Sequence, residues 1–255
     1  MIMNSKKVLF CDILGQKSEI VKLPEQGCTS EVCKIVSENG QFILKSATKE
    51  KYREWLRTEA EVLKALSLHH TIPVPKFYGF LENEDASHLL MSYEDGITLT
   101  AALKAAETME EKQTLVQSFG QFLSTLHAQE PVFKTEADWL ETQLIRARLY
   151  AETGQADGSL ALLEQLEEDK PQKVKQTMIH GDCTTDNVLA VNGQVRLFID
   201  VAGMTVGDPR YDEALAIRKF RDTPELLASF YDGYTRYRVS DQEYCYFEEG
   251  LYEFF

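Results

Sequence analysis

The chain has 255 residues, a length that suits one large domain or two lobes around an active cleft. At 44% hydrophobic and 27% charged it reads as globular, and no apolar run nears the ~20 residues of a membrane span, so neither membrane insertion nor a signal peptide is expected. Its 27 Lys and Arg against 41 Asp and Glu leave a net charge of −14, which argues against a nucleic-acid partner and leaves plain solubility or a cationic partner.

In chain order, short β-like runs come first: Val8–Leu14, Glu19–Leu23, Val32–Ser37 and Gln41–Ala47, with an Asn39-Gly40 hairpin signal between the last two. Lys49–Ser67 is one amphipathic helix, with Trp55, Leu56, Ala60, Leu63 and Leu66 at helical spacing. Pro73 and Pro75 stop it, and Lys76–Leu81 and His88–Tyr93 return to β. Beyond Gly96 the periods turn helical over Leu115–His127, Trp139–Ala151 and Leu160–Glu168. A second hairpin, Val188–Val191 and Val195–Val201, closes on Asn192-Gly193, and the tail from Tyr211 is helical with Gly233 as a soft point.

The expected class is therefore α+β: a small antiparallel sheet with one helix over residues 1–95, and a mainly helical lobe over 96–255, with a hinge near Asp95-Gly96. The charge divides with it. Residues 1–96 carry 12 basic and 14 acidic side chains, whereas 97–255 carry 15 and 27, so the net is −2 on one side and −12 on the other. The five cysteines form no CxxC pair and no cluster with the five histidines, which points to scattered thiols in a reducing cytoplasm rather than zinc or disulfides.

The chemistry is concentrated in His180-Gly181-Asp182-Cys183-Thr184-Thr185-Asp186-Asn187, followed by the hairpin and Phe198-Ile199-Asp200. Phosphoryl transfer needs a carboxylate to orient the attacking hydroxyl and accept its proton, and hard oxygen ligands for Mg²⁺. An Asp with an Asn five residues on, and a buried-looking Asp at the end of the next strand, supplies that set in the order of protein-kinase catalytic loops. The competing reading is that Asp182 caps a turn and His180 packs locally, but a buried carboxylate without a task is uncommon.

HGDxxxxN followed by FID resembles the signature of the aminoglycoside phosphotransferase and choline kinase family, which has a protein-kinase-like fold. Asp208 and Asp212 follow Asp200 at the family's offsets of eight and twelve. The chain ends Tyr252-Glu253-Phe254-Phe255, and Gln41–Lys45, Glu59–Leu63, Pro73–Lys76 and Leu90–Ser92 fall in the family's order. The resemblance implies an ATP-dependent kinase, with GTP as the alternative nucleotide, acting on an alcohol group of a small cationic molecule. An aminoglycoside antibiotic is the first expectation. A small-metabolite kinase (choline, homoserine or a sugar-like acceptor) and a catalytically silent nucleotide-binding module are the alternatives.

Carried over by position, the resemblance makes Asp182 the catalytic base and Asn187 and Asp200 the Mg²⁺ ligands. Lys45 would hold the ATP phosphates with Glu59 as its ion-pair partner, unless the two are merely an exposed strand lysine and a solvated helix face. Thr29 and Ser30, in Gly27-Cys28-Thr29-Ser30, would lie over the phosphates, although an ordinary β-turn reads the same way. The Met91–Glu94 stretch, with Met91 and Tyr93, would face the adenine edge through its backbone. Asp208, Asp222, Glu253 and the terminal carboxyl of Phe255 would bind the cationic acceptor, with a solvated acidic face as the competing account. The chain departs from the family in lacking an Arg in Val201-Ala202-Gly203-Met204, in carrying Ile43 where some members have an aromatic, and in a short segment between Ala151 and His180. His127 has a structural counterpart in the family and reads as a packed helix-end residue. The expected protein is cytoplasmic, a monomer or weak homodimer, with no nucleic-acid or membrane partner.

Overall fold

In the computed structural model, which describes residues 10–23, 26, 27, 29–69, 71–134 and 138–255, the short N-terminal runs pair into one antiparallel sheet. The chain divides into two compact units: residues up to Asp95 with Ile199–Ala202, and Gly96–Phe198 with Gly203–Phe255. No helix among the described residues is long and apolar enough to cross a membrane.

The first unit holds α1 (Cys11–Leu14), β1 (Ser18–Lys22), β2 (Glu31–Ser37), β3 (Gly40–Ala47), α2 (Glu50–Leu66), β4 (Phe77–Glu82) and β5 (Ser87–Ser92). The strands lie in the order β1-β2-β3-β5-β4. Ile20, Cys33, Ile35, Phe42, Leu44 and Leu90 form a core with Phe10 and Leu14. Strand alternation turns Ile43, Lys45 and Ala47 to the opposite side from Phe42 and Leu44. α2 buries Leu56, Ala60, Leu63 and Leu66, as their spacing predicts.

Two local expectations are corrected here. The run ending at Leu14 is not a strand: Phe10 and Leu14, four apart, are both buried, so the apolar period is helical, and Gly15 at φ +75° ends the turn. Val8 and Leu9 of that run lie outside the described residues. The first hairpin forms, but Ser37 pairs with Gly40, so its two-residue loop is Glu38-Asn39 rather than Asn39-Gly40.

The second unit contains α3 (Leu99–Ala105), α4 (Met109–Ala128), α5 (Trp139–Glu152), α6 (Leu160–Glu168), α7 (Pro209–Ile217), α8 (Pro224–Gly233), α9 (Asp241–Phe247) and a C-terminal 3₁₀ turn (Leu251–Phe254). Short strands complete it: β6 (Ile97–Thr98) pairs with β8 (Val188–Val191), which pairs with β9 (Gln194–Phe198), and β7 (Thr177–Ile179) pairs with β10 (Thr205–Gly207). Helix starts follow side-chain chemistry. Thr108 and Glu111 make a reciprocal capping box on α4, Asp138 caps α5, Ser159 caps α6 and Asp208 caps α7 ahead of Pro209.

Asn192 (φ 50°) and Gly193 (φ 76°) both take the left-handed conformation of a type I′ turn, which matches the twist of β8 and β9. Gly233 is not a soft point. A side chain there would come within 2.1 Å of the Gln117 carbonyl on α4, and one at Gly120 within 2.2 Å of the Phe230 carbonyl on α8, so these glycines let two helix backbones touch. β9 ends at Phe198, short of the expected Val201, because Asp200 turns to φ 57° and Val201–Gly203 forms a 3₁₀ turn.

Candidate active site

In the first unit, Lys45 is 8% exposed in the middle of the sheet, where it needs a counter-charge. Its Nζ donates to both Glu59 oxygens, at 2.6 and 2.8 Å, and to Asp200 Oδ1. Burial works against the ammonium, but the Asp200 and Glu59 carboxylates outweigh it and raise the Lys45 pKa; burial pushes the Glu59 carboxyl up. One cation between two carboxylates leaves the cluster with a net negative charge when all three are ionised. Asp200 is exposed rather than buried, with 46% of its side chain open, because it sits in a left-handed turn beyond the strand end.

The other nucleotide-side residues are less constrained. Thr29 and Ser30 are half-buried just before β2, and Cys28 lies outside the described residues. A side chain at Gly27 would meet open space, so packing does not require glycine at that position. Met91 is buried near the end of β5. The Tyr93 N–H donates to the Gln41 carbonyl at 3.3 Å, so that amide is already engaged within the sheet, and Lys34 Nζ sits 3.5 Å over the Tyr93 ring.

In the second unit the His180–Asn187 loop is held from beneath. The fully buried Asp212 of α7 accepts from the His180 N–H at 2.6 Å and the Gly181 N–H at 2.8 Å. Its Oδ2 also lies 3.2 Å from His127 Nε2, and His127 Nδ1 is 2.9 Å from the Tyr234 hydroxyl. Gly181 has φ +80°, and a side chain there would come within 2.3 Å of the Gly203 carbonyl, so the loop needs glycine twice over. His180 is buried; its Nδ1 accepts from the Asp182 N–H at 3.2 Å, and its ring packs on Phe198 at 5.3 Å.

Above that base, Asp182 is half-buried and presents its carboxylate. The Asn187 side-chain amide donates to Asp182 Oδ2 at 2.7 Å and to the Asp182 carbonyl at 2.8 Å. Because the amide nitrogen makes both bonds, Asn187 Oδ1 is the atom left to act as a ligand. Asp182 Oδ1 accepts from the Tyr252 hydroxyl at 3.1 Å. Cys183 beside it is fully buried, and burial pushes its thiol far up, so it is inert.

The expected acceptor carboxylates separate. Asp222 and Glu253 are exposed, and Phe255 is half-buried with its ring 5.9 Å from Tyr150 and Arg146 5.5 Å over it. Asp208 is not available. It is 7% exposed, caps α7, and both its oxygens accept from Arg210, at 3.0 and 2.6 Å, so it is a structural half of a buried ion pair. Two contributors escaped the sequence reading. Asp212 was visible only as a spacing, and Tyr252 lies 70 residues from Asp182 with no local signal.

A Lys–Glu pair is buried in the five-stranded sheet of the first unit, and an Asp–Asn pair stands on a helix-supported loop of the second. Residues 20–244 match the Phosphotransferase enzyme family, and the chain belongs to that family. An aminoglycoside 3′-phosphotransferase of Streptomyces fradiae is 29% identical over 222 residues, 78% of this chain and 80% of that protein. Among solved structures, an aminoglycoside-3′-phosphotransferase of type VIII superposes with a TM-score of 0.79 at 22% identity, covering 99% of this chain and 98% of the other. Aminoglycoside phosphotransferase APH(4)-Ia, in a ternary complex with ADP and hygromycin B, gives 0.65 at 16% identity over 89% and 80%.

Proposed function

We propose that the protein transfers the γ-phosphate of ATP to a hydroxyl of a cationic aminoglycoside. The observation that carries this reading is the Asp182 carboxylate, which accepts from the Asn187 amide on Oδ2 and from a hydroxyl, that of Tyr252, on Oδ1. Asp182 orients the acceptor hydroxyl and takes its proton, with no phospho-enzyme intermediate. Rate comes from positioning and charge neutralisation. Lys45, held by Glu59, faces the ATP phosphates. Thr29 and Ser30 line the phosphate loop, and Met91 and Tyr93 the adenine side.

The donor set fits Mg²⁺. Asn187 Oδ1, left over by the amide's own bonds, and the exposed Asp200 carboxylate would each offer a hard oxygen. Mg²⁺ keeps most of its shell for water and phosphate oxygens, so two protein ligands suffice. When bound, it neutralises charge on the transferring phosphate.

The acceptor class rests on the curated relative and on the −12 carried by residues 97–255. Asp222 and Glu253 supply negative charge, each exposed contact contributing about 1 kcal/mol or less, so several such contacts act together. A cytoplasmic location fits a reaction that uses ATP. The test is ADP release from Mg·ATP with a panel of aminoglycosides, choline, homoserine and sugars. We expect turnover with aminoglycosides and a loss of at least about a hundredfold in D182A. Turnover confined to a metabolite, or an active D182A, overturns the reading.

A further inference from the structure

The general base of a kinase is indifferent to what it deprotonates: water in place of the acceptor would give wasteful hydrolysis of ATP. In this protein each oxygen of the Asp182 carboxylate already accepts a hydrogen bond. Asn187 donates to Oδ2 at 2.7 Å and the Tyr252 hydroxyl to Oδ1 at 3.1 Å. We propose that Tyr252 caps the base in the absence of acceptor, occupying the place of the acceptor hydroxyl on Oδ1 and suppressing hydrolysis of ATP by water. This rests on Asp182 being the base of the proposed kinase.

Four observations support the cap. The 3₁₀ turn carrying Tyr252 is anchored on both sides by the fully buried Leu251 and Phe254. The Gly158 N–H donates to the Glu253 carbonyl at 2.9 Å, which fixes the turn's backbone. The phenol ring lies 6.5 Å from Tyr211, with the Arg218 guanidinium 5.4 Å over it, so its direction is set by packing. Burial first, and the Asp182 charge second, raise the Tyr252 pKa, so the hydroxyl keeps the proton it donates.

The same turn carries Glu253, assigned above to the acceptor. A molecule seated on it therefore arrives beside Tyr252 and replaces one O–H···O⁻ bond by another at Oδ1. Water has no such anchorage. In the suppressed reaction a water oxygen bonds to the γ-phosphorus, the bond from that phosphorus to the bridging oxygen of ADP breaks, and a water proton passes to Asp182. The products are ADP and inorganic phosphate.

The test is Y252F in the full-length protein, with ADP release measured with and without an aminoglycoside. We expect acceptor-free hydrolysis to rise about tenfold, the weight of a hydrogen bond to a charged group, with KM for ATP within about twofold of the parent. Y252L should behave alike, and melting curves establish that both variants fold. Acceptor-free hydrolysis within about twofold of the parent in folded Y252F and Y252L overturns the cap. D182A separates the two readings. Transfer to acceptor that D182A abolishes, with hydrolysis unmoved by Y252F, removes the cap and leaves the kinase. Hydrolysis raised by Y252F and lost in the Y252F/D182A double variant, without transfer to any acceptor, keeps the cap and removes the aminoglycoside.

Discussion

Asp212 and Glu213 are neighbours on α7, both fully buried, and they do opposite things. Asp212 has its charge matched by two backbone N–H groups and His127. Removing it strands those donors, so D212A should lose about 3 kcal/mol or more in urea unfolding and lose turnover with it. Glu213 accepts from the Tyr231 hydroxyl at 2.8 Å and the Val239 N–H at 2.7 Å through one oxygen, while Oε2 has no hydrogen-bond partner among the described residues. Burial pushes its carboxyl up to about 7. A raised carboxyl pKa means that the folded state holds the proton more tightly than the unfolded chain. Its penalty is therefore absent below the ordinary value of 4.5 and grows to its full size above about 7. E213Q should stabilise the protein by about 3 kcal/mol at pH 8 and have little effect at pH 4.5, as read by denaturant unfolding at the two values. Neither role was legible from sequence. Residue type and spacing put Asp212 on a list of carboxylates, but which backbone amides it meets depends on a contact 31 residues away. For Asp208 the same spacing misled, because a carboxylate two residues before an arginine reads the same whether the pair is buried or solvated.

At the scale of elements, the strongest signals were periodicities longer than two turns and hairpins with Asn-Gly. α2, α4, α5 and α6 were legible as helices, α6 with both ends in place, because their apolar spacing and caps are local properties. The two- and three-residue strands β6, β7 and β10 were not, since segments of that length carry no period and exist through their partners. Phe10 and Leu14 show the converse failure, a short apolar run whose period is ambiguous until the core is known. Gly233 belongs at this scale as well. G233A places a methyl group against the Gln117 carbonyl, so α4 and α8 must separate, and thermal unfolding should show a loss of about 1–3 kcal/mol.

For the whole molecule, the α+β class and the family were readable because the HGDxxxxN loop and the FID segment keep their spacing across the chain. The charge asymmetry was readable too, but not its meaning, since net charge acts only through where the carboxylates face. If the acceptor is a polycation drawn by −12, its KM should rise several-fold between about 50 and 300 mM salt, as the Debye length shortens, while KM for ATP changes less. Steady-state kinetics at fixed Mg²⁺ would measure both. The supports of the Asp182 loop are buried and mutually dependent, whereas Asp222 and Glu253 are exposed. Substitutions at the exposed pair cost little folding free energy, within about half a kcal/mol. If Asp222 and Glu253 seat the acceptor as proposed, selection by a new drug has an open route: one surface codon at a time can change which molecules are accepted, without disturbing the buried supports of the Asp182 loop.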